Sequence, residues 1–269
     1  MAAMRLSEAL RVYMRHRLGF LVPLCVLVSL RTADAQTNLQ IWGDVSLNWV
    51  RSERLAYALD LEPQVVAANT EQDAAGWWTF AVTPNVEYSP KRWLDAIAEV
   101  GTGHTKQTDG LHSFELTPRG GFRFHLFSRD VPRVLDELAR GERPPTRRVV
   151  LRDRLLVEQR NFFYNQDQPT SSTVRVRNRL EFQVALNRAK VTDDGARTLL
   201  ADWEWFLPLD DPEERFASRQ RIRTGFAFRR SFAWRAELVY VWTRSRNTID
   251  EPFSTSDNAI SFTVRRFYK

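Results

Sequence analysis

Arg175, Arg177 and Arg179 occupy every second position of one short stretch, and Arg219, Arg221 and Arg223 repeat the spacing. Guanidinium groups in such a row can do two things. They can clamp carboxylates through paired hydrogen bonds, or they can line a wet passage and set its ion preference. Carboxylates for either role lie in the N-terminal half, where Asp44, Asp60, Glu62, Glu87, Asp95 and Glu99 fall on one phase of an alternating pattern. Arg152, Arg154, Glu158, Arg160, Glu181, Arg229, Arg235 and Glu237 continue that phase. If the chain closes on itself, the acids of its first part and the arginines of its later part should face each other across an interior. They would then plug a narrow lumen or leave a charged gap through it.

The histidines offer a second chemistry. His104 and His112 bracket Gly101–Gly110, with Thr105, Asp109 and Ser113 close by. A histidine beside a serine and a polar orienting group is the arrangement of acyl-transfer enzymes. A lipid-modifying hydrolase with a loop histidine is therefore the enzymatic alternative. No His-x-Ser or comparable spacing singles it out, and no catalytic residue is assigned. Metal-ligand spacing, phosphate loops and cofactor motifs are absent from the sequence, so no metal and no cofactor is expected.

The elements that must hold these charges are strands. In Ser113–Phe127, SFELTPRGGFRFHLF, Phe114, Leu116, Phe122, Phe124 and Leu126 alternate with Glu115, Thr117, Arg119, Arg123 and His125. A period of two puts one oily face and one charged face on a strand. Similar alternation recurs over 39–49, 55–62, 78–88, 94–100, 149–164, 174–186, 203–207, 219–229, 234–242 and 260–268. Asp153 is the one acid on the oily face of its run, and Arg266 is misplaced in the same way. The oily faces are rich in aromatic residues, and the nine tryptophans lie in or beside the runs. That pattern predicts an all-β, antiparallel, up-and-down transmembrane barrel of about 10–12 strands, its oily face on lipid and its aromatics at the two interfaces. A soluble periplasmic β-protein is the competing assignment.

Eleven runs conflict with the even count and shared periplasmic termini of bacterial single-chain barrels. One strand should therefore be missing or two merged, with Pro118-Arg119-Gly120-Gly121 a possible hidden turn. Arg51–Arg54, Ser89–Arg92 and Arg230–Ser231 read as short periplasmic turns. Ala67–Gly76, Gly101–Gly110 and Ser245–Asp257 read as long outer loops. Val131, Val134, Leu135 and Leu138 have helical spacing, with Asp130 to cap the start and Gly141 to end it, which predicts one short helix near 130–141.

Residues 1–35 have the marks of a cleaved secretion signal. Arg15, His16 and Arg17 precede the apolar run Leu18–Leu30, and Ala33-Asp34-Ala35 supplies a small-x-small cleavage pattern. The formal net charge of +6 includes five arginines and two acids from this leader, a net +3, so residues 36–269 carry only +3. So mild a balance argues against a nucleic-acid partner. Cys25, the single cysteine, falls in the leader behind the bulky Leu24, so a lipid anchor there is not expected. The exported part, 36–269, then has neither disulfide nor thiol chemistry.

The leader, QIWGDVSLNW at the start, PNVEYSPKRW, RNRLEFQVALNR and the terminal SFTVRRFYK together resemble an outer-membrane barrel family known as domain-of-unknown-function 2490 (DUF2490). The resemblance extends over nearly all of 36–269. It implies a barrel in the outer membrane of a Gram-negative bacterium and brings no catalytic residue with it. The tail also resembles the C-terminal signal read by the barrel-assembly machinery, except that Lys269 follows Tyr268. Expected partners are thus outer-membrane lipid, lipopolysaccharide and that machinery. The expected function is a structural barrel, or a porin-like narrow passage for small solutes with a charged lumen.

Overall fold

The computed structural model describes residues 37–269 apart from 53, 70–75, 92, 107–110, 127–147, 166–168, 211–217, 247–254 and 269. The expected leader and the helix near 130–141 lie outside the described residues. Eleven strands account for most of the rest: β1 (Thr37–Ser52), β2 (Leu55–Asn69), β3 (Trp78–Lys91), β4 (Leu94–Lys106), β5 (His112–His125), β6 (Val149–Tyr164), β7 (Ser171–Ala185), β8 (Arg197–Pro208), β9 (Ser218–Ser231), β10 (Trp234–Arg246) and β11 (Thr255–Tyr268). Each pairs antiparallel with its neighbours in sequence, and β1 pairs with β11 to close the barrel.

That closure is parallel, in register from Thr37↔Ser256 to Trp49↔Tyr268. It follows from the odd count. Strands that reverse direction at every connection leave the first and the eleventh running the same way. The expectation of a missing or merged strand is therefore corrected, and so is that of termini at one end. Thr37 begins at the end that carries the connections 70–77, 107–111, 165–170, 209–217 and 247–254, here called the loop end. Tyr268 finishes at the opposite, turn end, with the short connections 53–54, 92–93 and 232–233. Pro118–Gly121 makes no turn, because β5 pairs with β4 continuously through it.

Three expected loops shrink. Ala67–Asn69 belongs to β2, Gly101–Lys106 to β4, and β10 and β11 reach Arg246 and Thr255. The alternation of polarity fails in these pieces although the strand does not. In β4 the outward residues become Thr102, His104 and Lys106, while Gly101 and Gly103 point in.

Alternation elsewhere sorts the side chains. Phe80, Val100, Phe114, Phe122, Leu155, Val157, Leu180, Phe226, Leu238 and Ile260 are among the large apolar residues exposed on the outer face. Aromatics gather near the strand ends. At the turn end Trp49 stacks on Tyr268 at 5.6 Å, and Trp93 stacks on Phe124 at 6.3 Å. Arg266 lies there too, its guanidinium 4.7 Å from the Trp234 ring and 5.2 Å from Tyr268. Trp42 shares the phase of Asp44 and Ser46 and is not part of the girdle. It points inward and packs against a buried cluster of Leu200, Ala227, Val239, Val241 and Ala259. A second cluster joins Val150 and Ala185 to Val191, from the 186–196 connection, which folds over the turn end of the interior. The backbones approach most closely at Gly121 and Gly225, where a Cβ would collide with the carbonyls of Leu155 and Leu238.

Candidate functional site: the charged barrel interior

Every second residue of each strand points into the barrel, so the charges at alternate positions converge there. Two carboxylates organise the network. Glu204 on β8 is fully buried (0 % exposed) and is approached by three guanidiniums: Arg177 Nε at 2.6 Å, Arg221 Nη1 at 3.3 Å and Arg154 Nη2 at 3.7 Å. Glu158 on β6 (1 % exposed) likewise has Arg175 Nε at 2.7 Å, Arg177 Nη1 at 3.2 Å and Arg119 Nη1 at 3.6 Å. Arg177 is shared and ties the two together. The Phe206 ring fills the space between the arginines, with the guanidinium carbons of Arg175, Arg177 and Arg221 at 4.6, 5.3 and 5.3 Å from its centroid.

The network spreads from these hubs. Arg119 and Arg154 also reach Glu99, at 3.3 and 3.7 Å. Arg179 bridges Glu181 and Asp202 at 3.2 and 3.1 Å, and Arg223 donates to Asp202 at 2.7 Å. Arg235 and Arg265 meet on Glu237 at 2.9 and 3.0 Å. Arg160 forks onto both oxygens of Glu115 near the loop end, at 2.7 and 3.2 Å. Towards the turn end Asp95 accepts from Ser89 Oγ at 2.8 Å and lies 2.6 Å from His125 Nε2. Arg123 joins that group, 3.6 Å from Asp95 and hydrogen-bonded to Glu87 at 2.5 Å. Arg229 donates to the carbonyl of Phe232. Arg152 stands across the strand pair from Glu181, and Arg219 across from Phe206.

The wall formed by β1 and β2 is different. Its register sets Asp44 beside Glu62, and Ser46 beside Asp60, so three carboxylates share one face. Their partners are neutral: Thr263 Oγ1 lies 3.2 Å from Asp44, and Asn85 Nδ2 lies 3.2 Å from Asp60. Among the described residues no arginine or lysine comes within 4.0 Å of the three.

The charged residues that the sequence sets on the inward phase all point into the barrel. Their pairing corrects the expected one. The arginines of β6, β7 and β9 mostly take acids from the same or the next strand, not from the opposite wall. The acids that pair with five of them, Asp202 and Glu204, were visible in sequence as the polar phase opposite Trp203 and Trp205. Their weight comes from β8 lying between β7 and β9, which no single run can display. Arg119, Arg123, Glu115, His125 and Arg265 were likewise present as alternating polar residues and join the same network.

The candidate loop histidines belong to strands. His104 on β4 and His112 at the start of β5 are on the outer face at the loop end, with His104 Nε2 and His112 Nδ1 3.1 Å apart. Ser113 points to the interior, on the other side of the sheet from His112. Asp109 lies outside the described residues. Asp153 also stays on the outer face, where Asn178 Nδ2 donates to it at 2.8 Å.

Chemically, the interior provides fixed and largely neutralised charge. Taking such ions out of water is costly, and several short hydrogen bonds per carboxylate are what offset that cost. Comparison with protein families, with curated proteins and with solved structures finds no match.

Proposed function

We propose that this chain is an outer-membrane β-barrel of a Gram-negative cell envelope, with an interior closed by interlocked charge around Glu158 and Glu204. Its role on this reading is structural, a wall element and not an open pore. The observation that carries the reading is the inversion of polarity: apolar and aromatic side chains outside, arginines and carboxylates inside. A soluble barrel would reverse that arrangement. No helix among the described residues is long and apolar enough to cross a membrane, which has no bearing on strands. Membrane lipid is then the partner of the outer face, with lipopolysaccharide against its outer half. The barrel-assembly machinery would engage β11. The DUF2490 resemblance fits the same proposal.

Two measurements test it. The protein should fractionate with the outer membrane and migrate on gels in a heat-dependent way; recovery in the soluble periplasm would overturn the proposal. Leu180→Arg places a charge on the outer face and should cost roughly 2–4 kcal/mol of folding stability if the site lies at the bilayer midplane. Gln183→Arg, on the inner face, should cost much less, and equal costs in vesicle refolding would contradict a lipid-facing outer wall.

A narrow passage is the second reading, and Asp44, Asp60 and Glu62 favour it. These side chains retain partial solvent exposure, and no arginine or lysine among the described residues lies within 4.0 Å of them. Purified protein in a planar bilayer separates the two readings. A silent membrane supports the structural role, whereas small cation-preferring conductance would support a passage along β1 and β2.

A further inference from the structure

Arg266 is the cation on the outer face of β11, and its surroundings are aromatic. Its guanidinium carbon lies 4.7 Å from the centroid of Trp234 and 5.2 Å from that of Tyr268. Tyr268 is itself held by Trp49, stacked on it with the planes 13° apart. The backbone is fixed as well. The Arg266 carbonyl accepts from Asn48 Nδ2 at 3.3 Å, and Trp234 stands directly opposite Arg266 in the β10–β11 ladder. On the far side of β10, Arg230 closes the row. It is exposed, follows the buried, inward Arg229, and so shares the outer face with Phe228 and Trp234. Neighbouring strands are about 4.8 Å apart, so the backbones of Arg230 and Arg266 are about 10 Å apart, with Trp234 between them. Among the described residues no carboxylate comes within 4.0 Å of either arginine. Asp153, on β6 and three strands away from β9, is the one acid on the outer face of the described strands.

We propose that Arg230, Trp234 and Arg266 form a binding site for the phosphodiester headgroup of an anionic phospholipid. The site rests on the membrane reading above and adds a specific lipid to it. A cation on a lipid-facing wall is costly unless it reaches the interface or an anion. A guanidinium lying over an aromatic ring still presents the N–H donors at its edge, and these match two oxygens of one phosphate. Two arginines without a nearby acid exceed the single charge of one phosphodiester. That surplus favours a headgroup with no ammonium of its own. Trp49, Trp234 and Tyr268 mark the depth at which headgroups lie. Barrels of this kind keep their short turns in the periplasm, so the turn end would face the phospholipid leaflet and not the lipopolysaccharide one.

The test mixes the full chain, refolded in detergent, with phosphatidylglycerol and phosphatidylcholine and reads the retained lipid by native mass spectrometry. One phosphatidylglycerol should be kept in preference to phosphatidylcholine. An arginine beside an anionic headgroup is worth roughly a fivefold preference, so Arg266→Gln and Arg230→Gln should each lower the ratio by about that factor. Arg266→Lys keeps the charge and should keep most of the preference. Lys106→Gln, at the loop end of the outer face, should match the parent. Heat-dependent migration on gels checks that each variant is folded. A parent without the preference, or Arg266→Gln with it intact, would overturn the site. Lipid A displacing phosphatidylglycerol at equal concentration would overturn it too, since the ligand would then belong to the other leaflet. A separate measurement isolates the membrane reading: brominated phosphatidylcholine in vesicles should quench the tryptophan fluorescence of the parent and of Arg266→Gln alike. Quenching without the headgroup preference overturns the site alone, whereas no quenching overturns the membrane reading and the site with it.

Discussion

The wall from β5 to β9 and the wall of β1 and β2 carry charge at the same spacing on the same inward phase, yet the charges end up in opposite circumstances. On the first wall, Glu158 and Glu204 are each surrounded by three guanidiniums and lose almost all contact with water. On the second, Asp44, Asp60 and Glu62 stand beside one another with only Thr263 and Asn85 as nearby donors. Spacing along a strand therefore decides which way a charge points. Its neutralisation is decided by the neighbouring strands. Strands β6 and β8 bring acids up against the arginines of β7 and β9, whereas β1 and β2 bring acid to acid.

The largest expected effect is at the best-paired carboxylate. Glu204→Gln leaves Arg154, Arg177 and Arg221 converging on a neutral amide in a buried site. Removing one partner of a buried ion pair costs about 3–5 kcal/mol, because the survivors stay desolvated. The denaturant midpoint in lipid vesicles should fall accordingly. A loss below about 1 kcal/mol, the value for exposed pairs, would mean that water reaches Glu204 and that the two walls do not differ in the way described.

These contrasts were partly legible beforehand. The inward phase was readable because alternation is local: Arg175, Arg177 and Arg179 between Val174, Val176 and Leu180 can face only one way. The eleven runs were readable for the same reason, but the even count of known barrels argued against taking them as eleven strands. The ends were less so. β8 begins at Arg197, but Leu199 and Leu200 are both apolar while pointing to opposite faces, and the pattern was recognised only from Trp203. Pairing was not legible at all. Nothing in the β1 residues shows that β11 lies beside them and runs parallel, or that Thr263 would approach Asp44. Trp42 shares the inward phase of Asp44 and Ser46 and lies on the patch formed by Leu200, Val239 and Val241. An inward apolar residue in a mostly charged interior makes sense only once its neighbours are known.

A smaller effect is expected at Arg177, although it touches both hubs. After Arg177→Ala, Glu204 keeps Arg154 and Arg221, and Glu158 keeps Arg119 and Arg175. The loss should then resemble one or two hydrogen bonds to charged groups, about 1.5–3 kcal/mol. The cavity left beside Phe206 gives a second readout. If this wall closes the barrel, the variant should conduct small ions in a planar bilayer where the parent does not. A variant unchanged in both midpoint and conductance would show that Arg177 is not part of the closure.

The smallest expected effect has the opposite sign, and it falls on the other wall. Like charges directly across a strand pair are destabilising, by a few tenths to about 1 kcal/mol. Glu62→Gln keeps the shape of the side chain and removes its repulsion of Asp44 and Asp60. Stability should hold or rise slightly, by up to about 1 kcal/mol. Salt supplies the check. Added salt screens exposed charges over a Debye length of about 10 Å at 0.1 M and about 3 Å at 1 M, so the gain should shrink as salt rises. Glu204→Gln, buried and beyond the reach of ions, should keep its cost over the same range. Should Glu62→Gln destabilise the barrel as Glu204→Gln does, Glu62 must be neutralised by an arginine across the interior. The two walls would then be one continuous network, and no gap would run along β1 and β2.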